Sequence, residues 1–348
     1  MRAAVLRAFG EPLAVEDVPD PAPAPDGAVV AVRATGVCRS DWHAWQGHDA
    51  SVTLPHVGGH ELAGEVVAIG AQVRSIRVGD RVTVPFCCGC GVCEPCARGE
   101  TQVCERDLQP GFTLWGSFAE RVALPRADLN LVRLPDALDW VPAAALGCRF
   151  MTAWAALRVH GCVAADEWVA VHGCGGVGLS AVMIAVAAGA RVVAVDVDPA
   201  KLERARSLGA EHAVDASRED AVAAVESLCG GGAHVAIDAL GSPETCAASV
   251  LGLRRHGRHL QVGLLLAGDE RPPVPMARVI ARELSLRGVH GMAVRHYPGL
   301  LDAVAGGALD PGRLVGRTLA LDGVGAELAA MGDFATQGLS VVDRGFSA

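Results

Sequence analysis

Four cysteines, Cys90, Cys93, Cys96 and Cys104, are separated by two, two and seven residues. Four thiolates from one short segment can close a tetrahedral shell around zinc at about 2.3 Å, leaving no position for a substrate. This lobe, residues 87–104, is therefore expected to hold a structural zinc ion. Cys87 and Cys88 fall outside the spacing and are read as spare residues. Seven of the twelve cysteines lie between Cys87 and Cys148, a distribution that suits metal ligands and free thiols better than a disulfide framework. Cys162, Cys174, Cys229 and Cys246 are expected to be small apolar fillers. A second cluster carries different chemistry: Gly173, Gly175 and Gly178 form G-x-G-x-x-G, with Gly176 and Val177 inside it. Such a turn lets a pyrophosphate approach the backbone and presents the N–H groups of a helix N-terminus to it. Eighteen residues after Gly178, Asp196 is placed to accept hydrogen bonds from an adenosine ribose and to repel a 2′-phosphate, which predicts NAD rather than NADP.

The string of glycines gains its meaning from the elements around it. EWVAVHG reads as a buried strand before the turn and GVGLSAVMIAVAAG as the helix after it. RVVAVDV then reads as a strand, and PAKLERARSLG as a helix with Pro199 in its first turn and Asp198 as its cap. The alternation continues through AEHAVD, a helix near Asp220–Leu228, AHVAIDAL, a helix in SPETCAASVLGLRR, RHLQVGLL, ARVIARE and LSLRGVHG. Strands alternating with helices predict a parallel sheet covered on both faces, over residues 151–290. Before about residue 150 the chain is rich in Gly and Pro, with short Val-rich runs such as AVVAVRATGV and ELAGEVVAIG that read as strands. Residues 291–348 return to mixed character and are assigned, with 1–150, to one mainly β domain.

The chain has 348 residues, about two domains' worth, with 51% hydrophobic and 20% charged residues, so a large core is available. A net charge of -9 and the lack of a basic run exclude a nucleic-acid-binding surface. The N-terminal residues carry acidic groups and prolines where a signal peptide needs an apolar run. The uncharged stretch Val169–Ala190 is interrupted by five glycines and is not expected to span a membrane. A cytoplasmic protein is the expectation. Among thirty basic residues the only lysine is Lys201.

Taken together, GVCRSDWHAWQG (Gly36–Gly47), GGHELAGEV (Gly58–Val66), the four-cysteine lobe, GCRFMT (Gly147–Thr152) and GCGGVG (Gly173–Gly178) resemble the zinc-dependent medium-chain alcohol dehydrogenases. The resemblance implies a Rossmann-type domain beside a GroES-like catalytic domain. It also implies a second, catalytic zinc held by Cys38, His60 and Cys148, three residues that their positions alone would not group. Two thiolates and an imidazole leave one position open, as a catalytic site requires. Glu61 would lie behind that metal, and Asp41 would take the second ring N–H of His60. In this family the metal makes the alcohol oxygen more acidic, and hydride passes to the nicotinamide. The proton leaves through a hydroxyl and a histidine, positions held here by Ser40 and His43.

Arg39 matches a pyrophosphate contact, Thr152 and Val177 match residues at the nicotinamide ring, and Val262 and Leu264 match residues near its amide. Lys201 matches a lysine near the adenosine ribose. Phe86, and less directly Trp115, would line the substrate pocket, with Trp45 reserved for packing. The family often carries an arginine after the glycine of its last strand; Leu339 stands there, and Arg344 is no obvious substitute. The expected protein is an NAD-dependent alcohol dehydrogenase with two zinc ions per chain, a homodimer or homotetramer acting on an alcohol or carbonyl compound. A carbonyl reductase or polyol dehydrogenase on the same scaffold is the alternative. The zinc-free reductase branch is disfavoured by the complete Cys38, His60 and Cys148 set. A non-catalytic zinc or nucleotide binder is disfavoured by Ser40 and His43.

Overall fold

The computed structural model describes residues 1–265, 271–333 and 337–346. Two compact units emerge, one of residues Met1–Met151 with Gly291–Ala348, the other of Thr152–His290.

The second unit is built on a six-stranded parallel sheet. Its spatial order is His212–Asp215, Arg191–Asp196, Trp168–His172, Ala233–Asp238, Leu253–Gln261 and Ser285–Gly288. Chain order reverses beside Trp168–His172, the switch point at which doubly wound sheets bind dinucleotides. The inner strands are apolar on both faces, because helices cover both: every residue of Trp168–His172 is buried. Three of the covering helices start on a side-chain cap. Asp198 Oδ1 accepts the Ala200 N–H at 2.8 Å, Asp220 Oδ1 accepts those of Val222 and Ala223, and Ser242 forms a reciprocal capping box with Thr245.

Two boundaries differ from the sequence expectation. The helix before residue 252 stops at Leu251, and Leu253–Arg255 joins the next strand. Leu253 is fully buried there and pairs with Ala233, so sheet burial overrides the helical run. The run TAWAALRVHG reads as a helix from Thr152, but that helix begins at Cys148, and its second half, Ala155–His160, winds as a π-helix. The Gly161 N–H closes that wider turn on the Ala156 carbonyl at 2.6 Å. Cys162, just beyond it, is exposed rather than a core filler, whereas Cys174, Cys229 and Cys246 are buried.

The first unit contains a seven-stranded, largely antiparallel sheet and a three-stranded one. Ala28–Val37 runs through the larger sheet, paired along one side with Glu61–Ile69, so that Gly36 faces Glu61. Leu339–Arg344 pairs antiparallel with the end of Ala28–Val37, Val341 facing Gly36. Small and β-branched residues dominate the contact, with Val30, Ala34, Leu62 and Ala63 wholly buried.

A polar network lies at the carboxyl ends of the parallel strands. Asp238 faces His172 across the sheet and accepts the Leu240 and Gly241 N–H groups at 3.0 Å. Gln261 Nε2 donates to Asp238 Oδ2 at 2.9 Å, and His259 bridges Gln261 to the Ser249 hydroxyl. Burial pushes the His172 ring down to about 4, with His259 adding to the fall and Asp238 opposing it. The unfolded chain therefore binds this proton more readily than the fold does, so the contribution is lost as pH falls from about 6.5 towards 4. His172→Phe is expected to reduce the stability lost over that window by roughly 2–3 kcal/mol, measured by denaturant unfolding at pH 7 and pH 4.5. Parallel pH dependences in the two proteins would show that His172 does not titrate on unfolding.

Candidate metal centres and dinucleotide turn

In the lobe, Cys93 ends the approach to the short helix Glu94–Ala97, which carries Cys96, while Cys90 and Cys104 flank it. The four sulfurs lie within 4.8 Å of one another. Backbone amides point at them: Val92 and Cys93 donate to Cys90 Sγ at 3.4 and 3.3 Å, and Cys90 and Arg106 donate to Cys104 Sγ at 3.2 and 3.3 Å. Without a cation the four cannot all ionise. The Val92 and Cys93 amides bring Cys90 down to about 6, whereas burial pushes Cys104 up to about 12 and Cys96 up. A divalent cation supplies the charge that four thiolates at this separation need.

The second cluster joins Cys38, His60, Glu61 and Cys148, whose donor atoms also lie within 4.8 Å of one another. Cys38 follows the last residue of Ala28–Val37 and caps the helix Arg39–Trp45; His60 precedes the first residue of Glu61–Ile69. Antiparallel pairing of these strands brings the two side by side. Cys148 arrives on the first turn of its own helix. Asp41 ties the pieces together. Its Oδ2 accepts the Cys38 N–H at 2.8 Å, and its Oδ1 lies 2.8 Å from His60 Nδ1 and accepts the Gly59 N–H at 3.1 Å. That contact leaves His60 Nε2 as a buried ring nitrogen with no partner. An unpartnered imidazole nitrogen beside two buried thiols is costly in a bare protein and is the donor set zinc takes. The residues fit the metal.

Ser40 Oγ lies 3.8 Å from Cys38 Sγ. His43 is half-buried, with its Nδ1 3.1 Å from that of His48, and Trp42 packs T-shaped with both rings. Burial, then Arg39 and His48, hold the His43 ring down to about 4, so it is neutral near pH 7. Arg39 stacks on Trp42 at 3.9 Å and donates to the Met331 carbonyl. Phe86 is buried with its ring 6.2 Å from that of His60, and Phe112 comes closer, at 5.2 Å. Trp115 is 39% exposed and donates to the Pro55 carbonyl, and Trp45 packs in the core with its indole N–H on Glu11. Leu339 is fully buried, whereas Arg344 is an exposed partner of Asp343.

In the other unit, the turn after Trp168–His172 has the required shape. Gly173 adopts a positive φ of 90°, and a Cβ on Gly178 would overlap the Gly173 carbonyl oxygen. A Cβ on Gly175 would project into open space, the side from which a phosphate could approach. Asp196, at the end of Arg191–Asp196, reaches this turn: its Oδ2 accepts the Cys174 N–H at 2.6 Å. Its Oδ1 accepts from Val197 and Asp198. Lys201 Nζ lies 4.0 Å from Asp198. The Val262 N–H donates to Asp238, Leu264 is 52% exposed, Val177 is half-buried and Thr152 is buried.

Sequence reasoning missed Phe112, His48 and Arg149. The first two lie in loops of no regular period, and Arg149 reads as an ordinary helix residue until its partner, Glu61, is placed beside it.

Two family models match the chain: "Alcohol dehydrogenase GroES-like domain" over residues 24–136 and "Zinc-binding dehydrogenase" over residues 176–306. An alcohol dehydrogenase of Rhizobium meliloti is 38% identical over 83% of each chain. An NAD-dependent alcohol dehydrogenase of Sulfurisphaera tokodaii is 31% identical over 98% of this chain and 99% of its own. The solved alcohol dehydrogenase TADH of Thermus sp. ATN1 superposes with a TM-score of 0.92 at 31% identity, covering 99% of this chain and all of that one.

Cys96→Ser is expected to lower bound metal by about one equivalent per chain and to destabilise the fold by several kcal/mol, since binding energy at such a lobe is folding energy. Metal analysis and thermal unfolding of the purified protein check both. Unchanged metal content would mean that the lobe does not hold an ion.

Proposed function

The chain belongs to the zinc-dependent medium-chain alcohol dehydrogenase family, and on that premise we propose that it carries two zinc ions and exchanges hydride reversibly between an alcohol and NAD. The observation that carries this reading is the buried, unpartnered Nε2 of His60 beside the thiols of Cys38 and Cys148. These three side chains would hold the catalytic ion, and the four-cysteine lobe the structural one. A zinc ion so held supplies Lewis acidity, lowering the pKa of the alcohol oxygen.

The remaining work falls to the chain. Asp41 fixes the His60 tautomer, keeping Nε2 free to ligate. Ser40 receives the hydroxyl proton, and His43, held neutral, takes it onward. Phe86 and Phe112 give the pocket apolar walls, which suits the hydrocarbon part of a small alcohol, aldehyde or ketone better than a polyol.

Asp196 selects NAD: its carboxylate is fixed at the Gly-rich turn, where a 2′-phosphate would meet a negative charge. The sheet ends in Ser285–Gly288, all four residues exposed, an edge suited to pairing with a second copy in a homodimer or homotetramer. Among the described residues no helix is long and apolar enough to cross a membrane. Twelve cysteines in the free form suit a reducing cytoplasm.

Cofactor reduction by the zinc-loaded protein, with NAD and NADP in parallel over primary, secondary, aromatic and polyol alcohols, tests the whole reading. Turnover with NAD is expected, and none with any alcohol in the two-zinc protein would refute it. Asp196→Ala should lower the NAD-over-NADP preference in kcat/KM by about tenfold, about 1.4 kcal/mol. A preference that does not move removes the role given to Asp196. Ser40→Ala should reduce kcat by about a hundredfold or more, and His43→Ala by less, because water can stand in for an outer relay group. Equal losses would contradict that order.

A further inference from the structure

Glu61 is a buried carboxylate that the proposed chemistry leaves without a task. One of its oxygens lies within 4.8 Å of the Cys38, His60 and Cys148 donor atoms, close enough to become a fourth ligand. A site completed in that way would be closed, with no position for an alcohol.

The structure shows what holds the carboxylate instead. Oε1 accepts two hydrogen bonds at 3.0 Å, from the Arg149 backbone N–H and from its Nε, and Oε2 accepts one from the second guanidinium nitrogen. Both side chains are buried, Glu61 completely and Arg149 with 9% of its surface exposed. The surroundings are cut to this pair. A Cβ on Gly36 would strike Glu61 Oε2 and come within 2.9 Å of the guanidinium; a Cβ on Gly147 would stand 2.5 Å from the Glu61 Cβ. Arg149 directly follows Cys148, so the segment that delivers a metal ligand also delivers the clamp.

We propose that Arg149 is a positioning residue that keeps Glu61 off the catalytic metal, so that the fourth coordination position stays available to the alcohol. This rests on the metal site described under the proposed function. Two guanidinium N–H groups and a backbone amide occupy both carboxylate oxygens. Lysine cannot reproduce that fork, because its ammonium is a point charge. With the guanidinium gone, Glu61 keeps the Arg149 backbone amide but no positive partner, and coordination to the dication beside it is its way to recover one.

Cobalt exchanged into the catalytic site makes coordination visible by absorption, and imidazole serves as a neutral probe of the open position. In the wild type imidazole should bind and shift the spectrum. In Arg149→Met the starting spectrum should already differ and imidazole should bind at least about tenfold more weakly, a difference of about 1.4 kcal/mol. Arg149→Lys should fall between the two. The double variant Arg149→Met with Glu61→Gln has no anion to coordinate and no buried charge to strand, so its imidazole affinity should return to that of the wild type.

Arg149→Met binding imidazole as the wild type does would overturn the inference, as would a double variant no better than the single one. If Arg149→Met does not fold, Arg149→Lys and the double variant decide by the same affinities. A wild-type protein that takes up no cobalt at Cys38, His60 and Cys148 would overturn the metal site itself. The two failures are thus distinct.

Discussion

Antiparallel pairing of Gly36 with Glu61 is the contact on which the proposed metal pocket depends. It places the residue after one strand, Cys38, against the residue before the other, His60, at a single end of the sheet. A slip of one residue would turn Glu61 to the opposite face and carry the whole alternation of both strands with it. The register is held by burial: Thr35 and Leu62 face each other fully buried, and Val30, Ala34 and Ala63 follow without exposure. Val341 then closes the other side of Gly36, so the smallest residue stands where two strands and the Glu61 side chain converge.

That geometry concentrates charge on buried side chains, and the groups around them read as answers to the problem. Asp41 takes three N–H groups, from Cys38, Gly59 and the His60 ring. Glu61 is met by the fork of Arg149. A buried ion left without such partners destabilises strongly, so these pairs are conditions for the pocket to exist at all. The Cys38 thiol is pulled well down, by the Cys148 thiol first and then by the Arg149 charge, although burial opposes it. The lobe solves the same problem by different means: its thiols meet backbone amides. A pocket with one unmatched imidazole nitrogen and a lobe of four sulfurs therefore suit a reactive and a structural ion, as proposed.

The parallel sheet places its chemistry by a related logic of position. Apolar strands can be covered on both faces only while their polar backbone is paired, which leaves the strand ends as the place for ligand-seeking groups. Gly173, Asp196 and the Asp238 network all lie there. Asp196 serves the bare fold as well, by holding the Cys174 amide of the turn, so any ribose contact would be made by a carboxylate already fixed in direction.

Local pattern was enough, in the sequence by itself, for the alternating strands and helices, the glycine turn, the four-cysteine lobe and the cap at Asp198. Each of these is written in neighbouring residues, whose spacing maps directly onto helix, strand or turn geometry. The three residues of the proposed second metal site could be grouped only through resemblance, since Cys38 and Cys148 are far apart in the chain. Tertiary structure alone decided that Arg149 faces Glu61, that Phe112 comes nearer His60 than Phe86 does, that His43 meets His48, and that Leu253–Arg255 leaves its helix for the sheet. The physical reason is common to all four. Burial and pairing between distant segments act on residues whose local sequence carries no trace of the partner, and where they conflict with local propensity they outweigh it.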